Sequence, residues 1–378
     1  MKIALVSPYD FAYPGGVANH ISNLDRYLCR MGHEVKVIAP ASKTVTTFGN
    51  RFIPIGKPRP IPNSGSIARI TLSLTLASKI KTVLDAEKFD IIHLHEPFVP
   101  MLCSAVLRFS NTINIGTFHA CDARPGYRLA WPIGTIMLKR RRHKLHSKIA
   151  VSQPAMRFAS KYVTGNFDII PNGVDLENFS PNVSPIEEFS DGKLNILFVG
   201  RLEQRKGVGY LLHAYRQIKH EIPDSRLIIV GPGTRLRQKY ERWVKRYTIA
   251  DVVFIGFTSY QELPRYYQTA DVFCAPAINR ESFGIVLLEA MAMGKPIIAT
   301  NIDGYASVVT HDEEGWLIPP KDSQQLAQAL ISIIRDEKLR QEMGRKGKLK
   351  AQQYSWENVA KRVFDCYLKV LNEAHYSE

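Results

Sequence analysis

The feature that most constrains this chain is a pattern that it states twice. Short apolar runs rich in valine and isoleucine alternate with stretches whose apolar residues fall at helical spacing. In the first half the runs are Lys2–Ser7, Glu34–Ala39, Asp90–His95, Ile113–Phe118, Lys148–Val151 and Asp168–Ile170. Runs that are apolar at nearly every position, rather than at alternate ones, belong to strands covered on both faces. That requires a parallel sheet with helices on each side. A helix predicted over about 17–31 closes at Gly32, a residue type that readily takes the left-handed turn ending a helix. The segment Ser180-Pro-Asn-Val-Ser-Pro-Ile-Glu-Glu-Phe-Ser-Asp-Gly192 is polar, contains two prolines and reads as a linker. The pattern then restarts with Leu194–Val199, Arg226–Val230, Val252–Ile255, Asp271–Cys274 and Pro296–Ala299. A length of 378 residues suits two cores. The expected fold is therefore α/β, with two doubly wound parallel-sheet domains facing a central cleft. Residues 1–180 form the first domain, 181–192 the linker and 193–354 the second. Residues 355–378, with Trp356, Tyr367 and Leu371, form a helix packing back on the first domain.

No apolar run approaches the roughly 18–20 residues that span a bilayer. Met1-Lys-Ile-Ala-Leu-Val-Ser-Pro8 has the look of a buried first strand rather than a secretory leader, so a cytoplasmic protein is expected. Five scattered cysteines, Cys29, Cys103, Cys121, Cys274 and Cys366, show no CxxC spacing and read as reduced thiols. The charge is uneven: residues 1–190 hold 23 Lys and Arg against 13 Asp and Glu, and 51–165 hold 18 against 5. A basic first half points to an anionic partner, whether nucleic acid, a phosphorylated substrate or an anionic membrane.

Open parallel sheets bind ligands beyond the carboxyl ends of their strands, and the motifs fall there. Gly15-Gly16 follows the first run and opens the first helix, where small residues let a phosphate approach backbone N–H groups. A plain tight turn would use the same pair. Gly200-Arg-Leu-Glu-Gln-Arg-Lys-Gly207 follows the first run of the second half, and Arg201 and Lys206 there suit a diphosphate leaving group. A solvated basic loop is the alternative. Glu281-Ser-Phe-Gly-Ile-Val-Leu-Leu-Glu289 follows the run ending at Cys274. Ser282 is a plausible N-cap for a helix from Phe283 to about Met293, presenting the amides of Phe283, Gly284 and Ile285 to an anion. Glu281 and Glu289 stand eight residues apart, about 12 Å along a helix. That spacing suits two separate ligand contacts better than a general acid/base pair.

Together these motifs resemble the retaining glycosyltransferases of family 4, whose fold is the GT-B arrangement of two Rossmann-like domains. The Glu-x7-Glu motif, the Gly-Arg…Lys-Gly loop and Pro171-Asn-Gly-Val-Asp175 match in the family's order over nearly the whole chain. A narrower resemblance, to phosphatidylinositol α-mannosyltransferases, is carried by several further segments. They are Ser7-Pro-Tyr9-Asp-Phe11, Pro14-Gly-Gly-Val17, His33-Glu-Val, Ala39-Pro-Ala-Ser42, Gly65-Ser-Ile-Ala-Arg69, His93-Leu-His-Glu-Pro97, Thr117-Phe-His119 and Glu281-Ser-Phe-Gly-Ile-Val286. The resemblance implies a GDP-mannose donor and a phosphatidyl-myo-inositol acceptor at the inner membrane face. It implies that Tyr9 stacks on the inositol, His119 sits at the reaction centre, Arg201 and Lys206 hold the diphosphate, Glu281 the mannose and Glu289 the ribose. Two departures stand out: Cys121-Asp-Ala-Arg124 carries an arginine where the subfamily has a lysine facing the acceptor, and Asn279-Arg280 replaces glycines before Glu281.

Apolar and basic residues at helical spacing over about 68–84 mark a candidate interfacial helix. Lys79, Lys81, Arg124, Arg128 and Lys139-Arg-Arg-Arg-His-Lys144 are candidates for touching anionic lipid; a solvated helix face is the other reading of the last run. No carboxylate nucleophile stands between Phe118 and the Glu-x7-Glu motif, which favours front-face attack. No DxD-like, His-rich or Cys-rich metal cluster is evident along the chain, so no metal or other cofactor is expected. A UDP-sugar donor with another lipid or a small soluble acceptor is the alternative within the class. Nucleic-acid binding lacks interleaved aromatics and a recognition-helix motif, and a non-catalytic sugar-nucleotide binder would not need the full motif set.

Overall fold

The computed structural model describes residues 1–13, 15–63, 66–71, 73, 75–97, 99–122, 142–233 and 235–375. They divide into two compact units, Met1–Asn172 with Trp356–Glu378, and Gly173–Ser355.

The first unit is built on a seven-stranded sheet. Its strands are β1 (Lys2–Val6), β2 (Glu34–Ala39), β3 (Phe52–Pro54), β6 (Ile91–His95), β7 (Ile113–Phe118), β8 (Ser147–Ala150) and β9 (Asp168–Ile169). They lie in the order β3-β2-β1-β6-β7-β8-β9, every pair parallel. Ile3, Ala4, Leu5 and Val6 are all buried because helices cover both faces. Ile21, Leu24 and Leu28 of the helix Gly16–Arg30 pack on one face together with Trp356, Val359, Val363 and Tyr367 of the helix Trp356–His375. Leu76 and Ile80, with Leu102 and Val106, pack on the other. The strand order reverses between β1 and β6, so loops leaving these two strands diverge and open a place for ligands.

The second unit repeats the plan with β10 (Leu194–Val199), β11 (Ser225–Val230), β12 (Val252–Gly256), β13 (Val272–Ala275), β14 (Ile297–Thr300) and β15 (Gly315–Ile318). Their order is β12-β11-β10-β13-β14-β15, again all parallel, with the reversal between β10 and β13.

Three expectations are corrected. Residues 181–192 are no free linker, and the unit boundary lies at Asn172/Gly173 rather than after 180. Val174, Phe179 and Phe189 are buried in the second unit's core, and the Ile186 N–H donates to Thr269 Oγ1. Apolar side chains spaced among prolines anchor this segment, despite its polar composition. The helix expected over 68–84 begins only at Leu76, running to Glu87. Residues 66–71 instead form β5 (Ser66–Thr71), antiparallel to β4 (Pro58–Asn63). Leu76 and Ile80 face inward while Lys79 and Lys81 are exposed, Lys81 paired with Asp85 at 2.5 Å, so the helix's apolar side serves the core. Finally, the helix expected over 283–293 is Ile285–Ala292, entered through Gly284 at φ +100°, and Ser282 does not cap it. Among the described residues no helix is long and apolar enough to cross a membrane, and the five cysteines are free thiols.

Candidate active site

In the second unit, the chain leaves β10 at Gly200, makes a 3-10 turn over Gln204–Lys206 and enters the helix Val208–Glu221 through Gly207. The chain leaving β13 returns beside it: the Ile278 N–H donates to the Arg205 carbonyl at 2.8 Å. Gly207 sits at φ +74°, and a Cβ there would stand 1.8 Å from the Pro276 carbonyl oxygen. Only glycine permits both the left-handed turn and this approach. The two loops at the sheet's reversal point are thereby held together.

That packing brings charges from both loops to one place. Glu281 accepts from Lys206 Nζ at 2.9 Å and from the Arg205 guanidinium through the same oxygen. Arg205 Nε also donates to Glu203 Oε2 at 2.8 Å, and Glu203 is only 4% exposed. Arg205 thus bridges two carboxylates. Sequence reasoning chose Arg201 and Lys206 and passed over Arg205 and Glu203, although both stand inside the Gly200–Gly207 motif. Arg201 lies partly buried in the same loop.

Phe283 is buried against Tyr354, and Gly284 abuts the Tyr305 ring, where a Cβ would lie 2.8 Å from two ring carbons. Glu289 is a different kind of carboxylate from Glu281. It is 7% exposed within the helix Ile285–Ala292 and accepts from the Tyr267 hydroxyl at 2.7 Å. Burial pushes its carboxyl up to about 7, against the downward pull of the Tyr267 bond and the Lys206 charge.

In the first unit the carboxyl ends of β6 and β7 bring histidines together. Alternation along β6 puts His93 and His95 on one face, with rings stacked at 4.4 Å. His93 is fully satisfied by the Tyr367 hydroxyl at 2.7 Å and by Thr117 Oγ1 at 2.6 Å. His95 Nδ1 lies 3.1 Å from Nε2 of His119, just past β7. His20, from the helix that follows β1, packs edge-on to His119 at 4.8 Å between ring centres and holds Asn172 Oδ1 through Nδ1 at 2.9 Å. Glu96, at φ +52°, accepts the backbone N–H groups of His119 at 2.5 Å and Ala120 at 2.6 Å. Burial nevertheless raises its carboxyl to about 7. Burial also holds the His119 imidazole well below the usual histidine range, so it is neutral at physiological pH.

Along the chain no His-rich cluster is visible, yet the fold assembles one. His20, His95 and His119 each offer a nitrogen, and these lie within 4.8 Å of one another. His95 was within reach in the quoted His93–Pro97 motif; His20 had no signal beyond its place one helical turn after Gly16. Gly15, at φ −169° and with open space where a Cβ would go, precedes the uncapped helix Gly16–Arg30. Tyr9 follows β1 and bridges to Ile70 of β5. Arg124, Arg128 and residues 139–141 lie outside the described residues.

Two doubly wound parallel sheets, the second with a carboxylate–cation cluster at its reversal point, define the class of GT-B glycosyltransferases. A structure of sucrose-phosphate synthase from Thermosynechococcus elongatus shares this fold with a TM-score of 0.77 at 23% identity, over 98% of this chain and 99% of that one. The family model "Glycosyltransferase Family 4" matches residues 14–178 and "Glycosyl transferases group 1" matches 180–350. The phosphatidyl-myo-inositol mannosyltransferase of Mycobacterium leprae (strain TN) is 34% identical over 372 residues, 97% of this chain and 96% of that protein. Its counterpart in Mycobacterium tuberculosis (strain ATCC 25618 / H37Rv) is 33% identical over 374 residues, with the same coverage. The chain belongs to the family 4 glycosyltransferases.

Proposed function

We propose that this chain transfers mannose from GDP-mannose to the inositol of phosphatidyl-myo-inositol, with retention at the anomeric carbon, while bound peripherally at the inner face of the cell membrane. The observation that carries the transferase chemistry is the cluster of Arg205, Lys206 and Glu281 at the β10/β13 reversal. Mannose and phosphatidylinositol as substrates rest on the relatives' names.

Negative charge develops on the diphosphate as the glycosidic bond breaks, and fixed cations lower the barrier by meeting it there. Lys206 and Arg201 fill that role. Lys206 pairs with Glu281, and a diphosphate that draws on Lys206 frees Glu281 for the sugar hydroxyls. Glu289 receives the ribose, and Phe283, Gly284 and Ile285 line the start of the helix facing the phosphates. Gly15 and Gly16 admit the donor at the first helix. Attack comes from the same face that the diphosphate leaves, with the departing phosphate taking the acceptor's proton. His119, neutral and partly exposed, hydrogen-bonds at the reaction centre. Tyr9 stacks on the inositol, Arg124 contacts its phosphate, and the basic stretch of 51–165 meets the anionic membrane. The reading requires no metal for transfer and no nucleic-acid partner.

Incubating the purified chain with GDP-mannose and phosphatidylinositol vesicles is expected to give GDP and an α-mannosyl lipid. No product there, alongside product from UDP-glucose and diacylglycerol, would overturn the substrates and leave the fold intact. A β-linked product by NMR would overturn retention. The second reading, a UDP-sugar with another acceptor, is favoured by Asn279-Arg280. Arg280 holds φ +61°, in the region that glycine favours, and gives this loop side chains beside Glu281. Titration calorimetry with GDP against UDP separates the two donors.

A further inference from the structure

We propose that His20, His95 and His119 form a three-nitrogen site for a borderline transition-metal ion of the Zn2+ class, with the partly exposed side of His119 leaving a fourth position open to solvent. The three nitrogens lie within 4.8 Å of one another. Tetrahedral ligation at about 2.0–2.1 Å separates ligand nitrogens by roughly 3.3 Å. His95 Nδ1 and His119 Nε2 already stand at 3.1 Å, so His20 closes in by up to about 1.5 Å to complete the set.

Two further observations point to a ligand. His20 Nε2 is buried, in a residue 2% exposed, and has no hydrogen-bond partner among the described residues. Buried polar atoms are rarely left so, because each forfeits its hydration without compensation. The Asn172 carboxamide oxygen accepts from Nδ1 of His20 at 2.9 Å. That bond fixes the tautomer with the lone pair on Nε2, as outer-sphere partners of metal-binding histidines do. His93 is excluded from the set, because both of its nitrogens are satisfied by Tyr367 and Thr117.

The proposal concerns binding and does not rest on the transferase reading. If both hold, the ion and the substrates compete for His119.

Untagged full-length protein titrated with Co2+ is expected to take up one equivalent and to develop the visible absorption of a four-coordinate nitrogen site, which Zn2+ then quenches. His20→Gln and Asn172→Ala, checked for folding by circular dichroism, should weaken Co2+ binding by ten-fold or more. Absence of saturable Co2+ binding by the wild type overturns the proposal. Unchanged affinity in a folded His20→Gln variant overturns it too. If that variant does not fold, Cu2+ bound to the wild type decides by electron paramagnetic resonance. Couplings from three imidazole nitrogens support the site, and couplings from fewer than three overturn it.

Discussion

Replacing Glu289 with glutamine should stabilise the unliganded protein at alkaline pH while weakening its grip on the donor. The side chain is 7% exposed, and burial raises its carboxyl from 4.5 to about 7. The folded state therefore prefers the protonated form, and the unfolded chain ionises first as pH rises. Stability from this group is fully present below pH 4.5, falls as pH climbs towards 7 and is lost above it. A displacement of that size corresponds to about 3 kcal/mol. Glutamine keeps the shape and an acceptor for the Tyr267 hydroxyl but cannot ionise. Calorimetric melts of the nucleotide-free wild type and E289Q should thus differ little at pH 5, by under about 1 kcal/mol. At pH 8 the variant should melt higher by roughly 6–12 °C, for a unit the size of Gly173–Ser355. Donor affinity at pH 8 should fall, a stabilised site being a poorer one. A melting difference that does not change with pH, or a variant less stable than wild type at pH 8, would refute the reasoning.

Glu281→Ala and His119→Ala should each reduce transfer by at least ~10²-fold with the fold intact; near-wild-type turnover in either refutes its assigned role. Gly207→Ala places a Cβ 1.8 Å from the Pro276 carbonyl, so the β10 and β13 loops must separate. Donor KM should rise about ten-fold or more and Tm should fall, consistent with strain of a few kcal/mol at such a position; unchanged donor KM would show that the loop contact is dispensable. Tyr367→Phe leaves His93 Nδ1 buried without its 2.7 Å partner. It should cost about 1–3 kcal/mol in denaturant unfolding, and a change under ~0.5 kcal/mol would mean that the histidine re-pairs.

Much of the fold was legible because parallel strands buried on both faces leave a plain trace. Ile3–Val6 and Ile196–Val199 are apolar at every position, and both proved central in their sheets. The hairpin at β4 and β5 was not legible, since Ile70, Leu74 and Ala77 fall at a helical spacing while Ile70, Leu72 and Leu74 fall at an alternating one. The segment 180–192 misled because composition reports polarity and not where three or four apolar side chains land. In the site, Glu281, Lys206 and His119 carried motif signals. Arg205, Glu203 and His95 stood inside motifs without being singled out, and His20 lay outside them, because their significance lies in meeting residues far along the chain: Arg205 meets Glu281 across the two loops, and His20 meets His119 from the helix after β1.

One device recurs in both units. Glu96 beside His119 and Glu289 beside the donor loops are buried carboxyls raised to about 7, each next to groups proposed to meet substrate. Burial alone would make both poor choices for stability, since ionising them in place opposes folding above neutral pH. Their partners are hydrogen-bond donors, two backbone amides for Glu96 and the Tyr267 hydroxyl for Glu289, rather than a close ion-paired cation of the kind that holds Glu281. Such a group is poised rather than fixed. A hydroxyl donating to Glu289 would favour its charged form and offset the cost of its burial. The folded chain thus carries the burial cost of ionising Glu289 above neutral pH, and Glu96, in a left-handed backbone conformation, carries its own beside the histidines. Glu281 is held by two cations, Arg205 and Lys206, and Glu289 by a neutral hydroxyl. That difference gives two glutamates eight residues apart in one motif two separate environments.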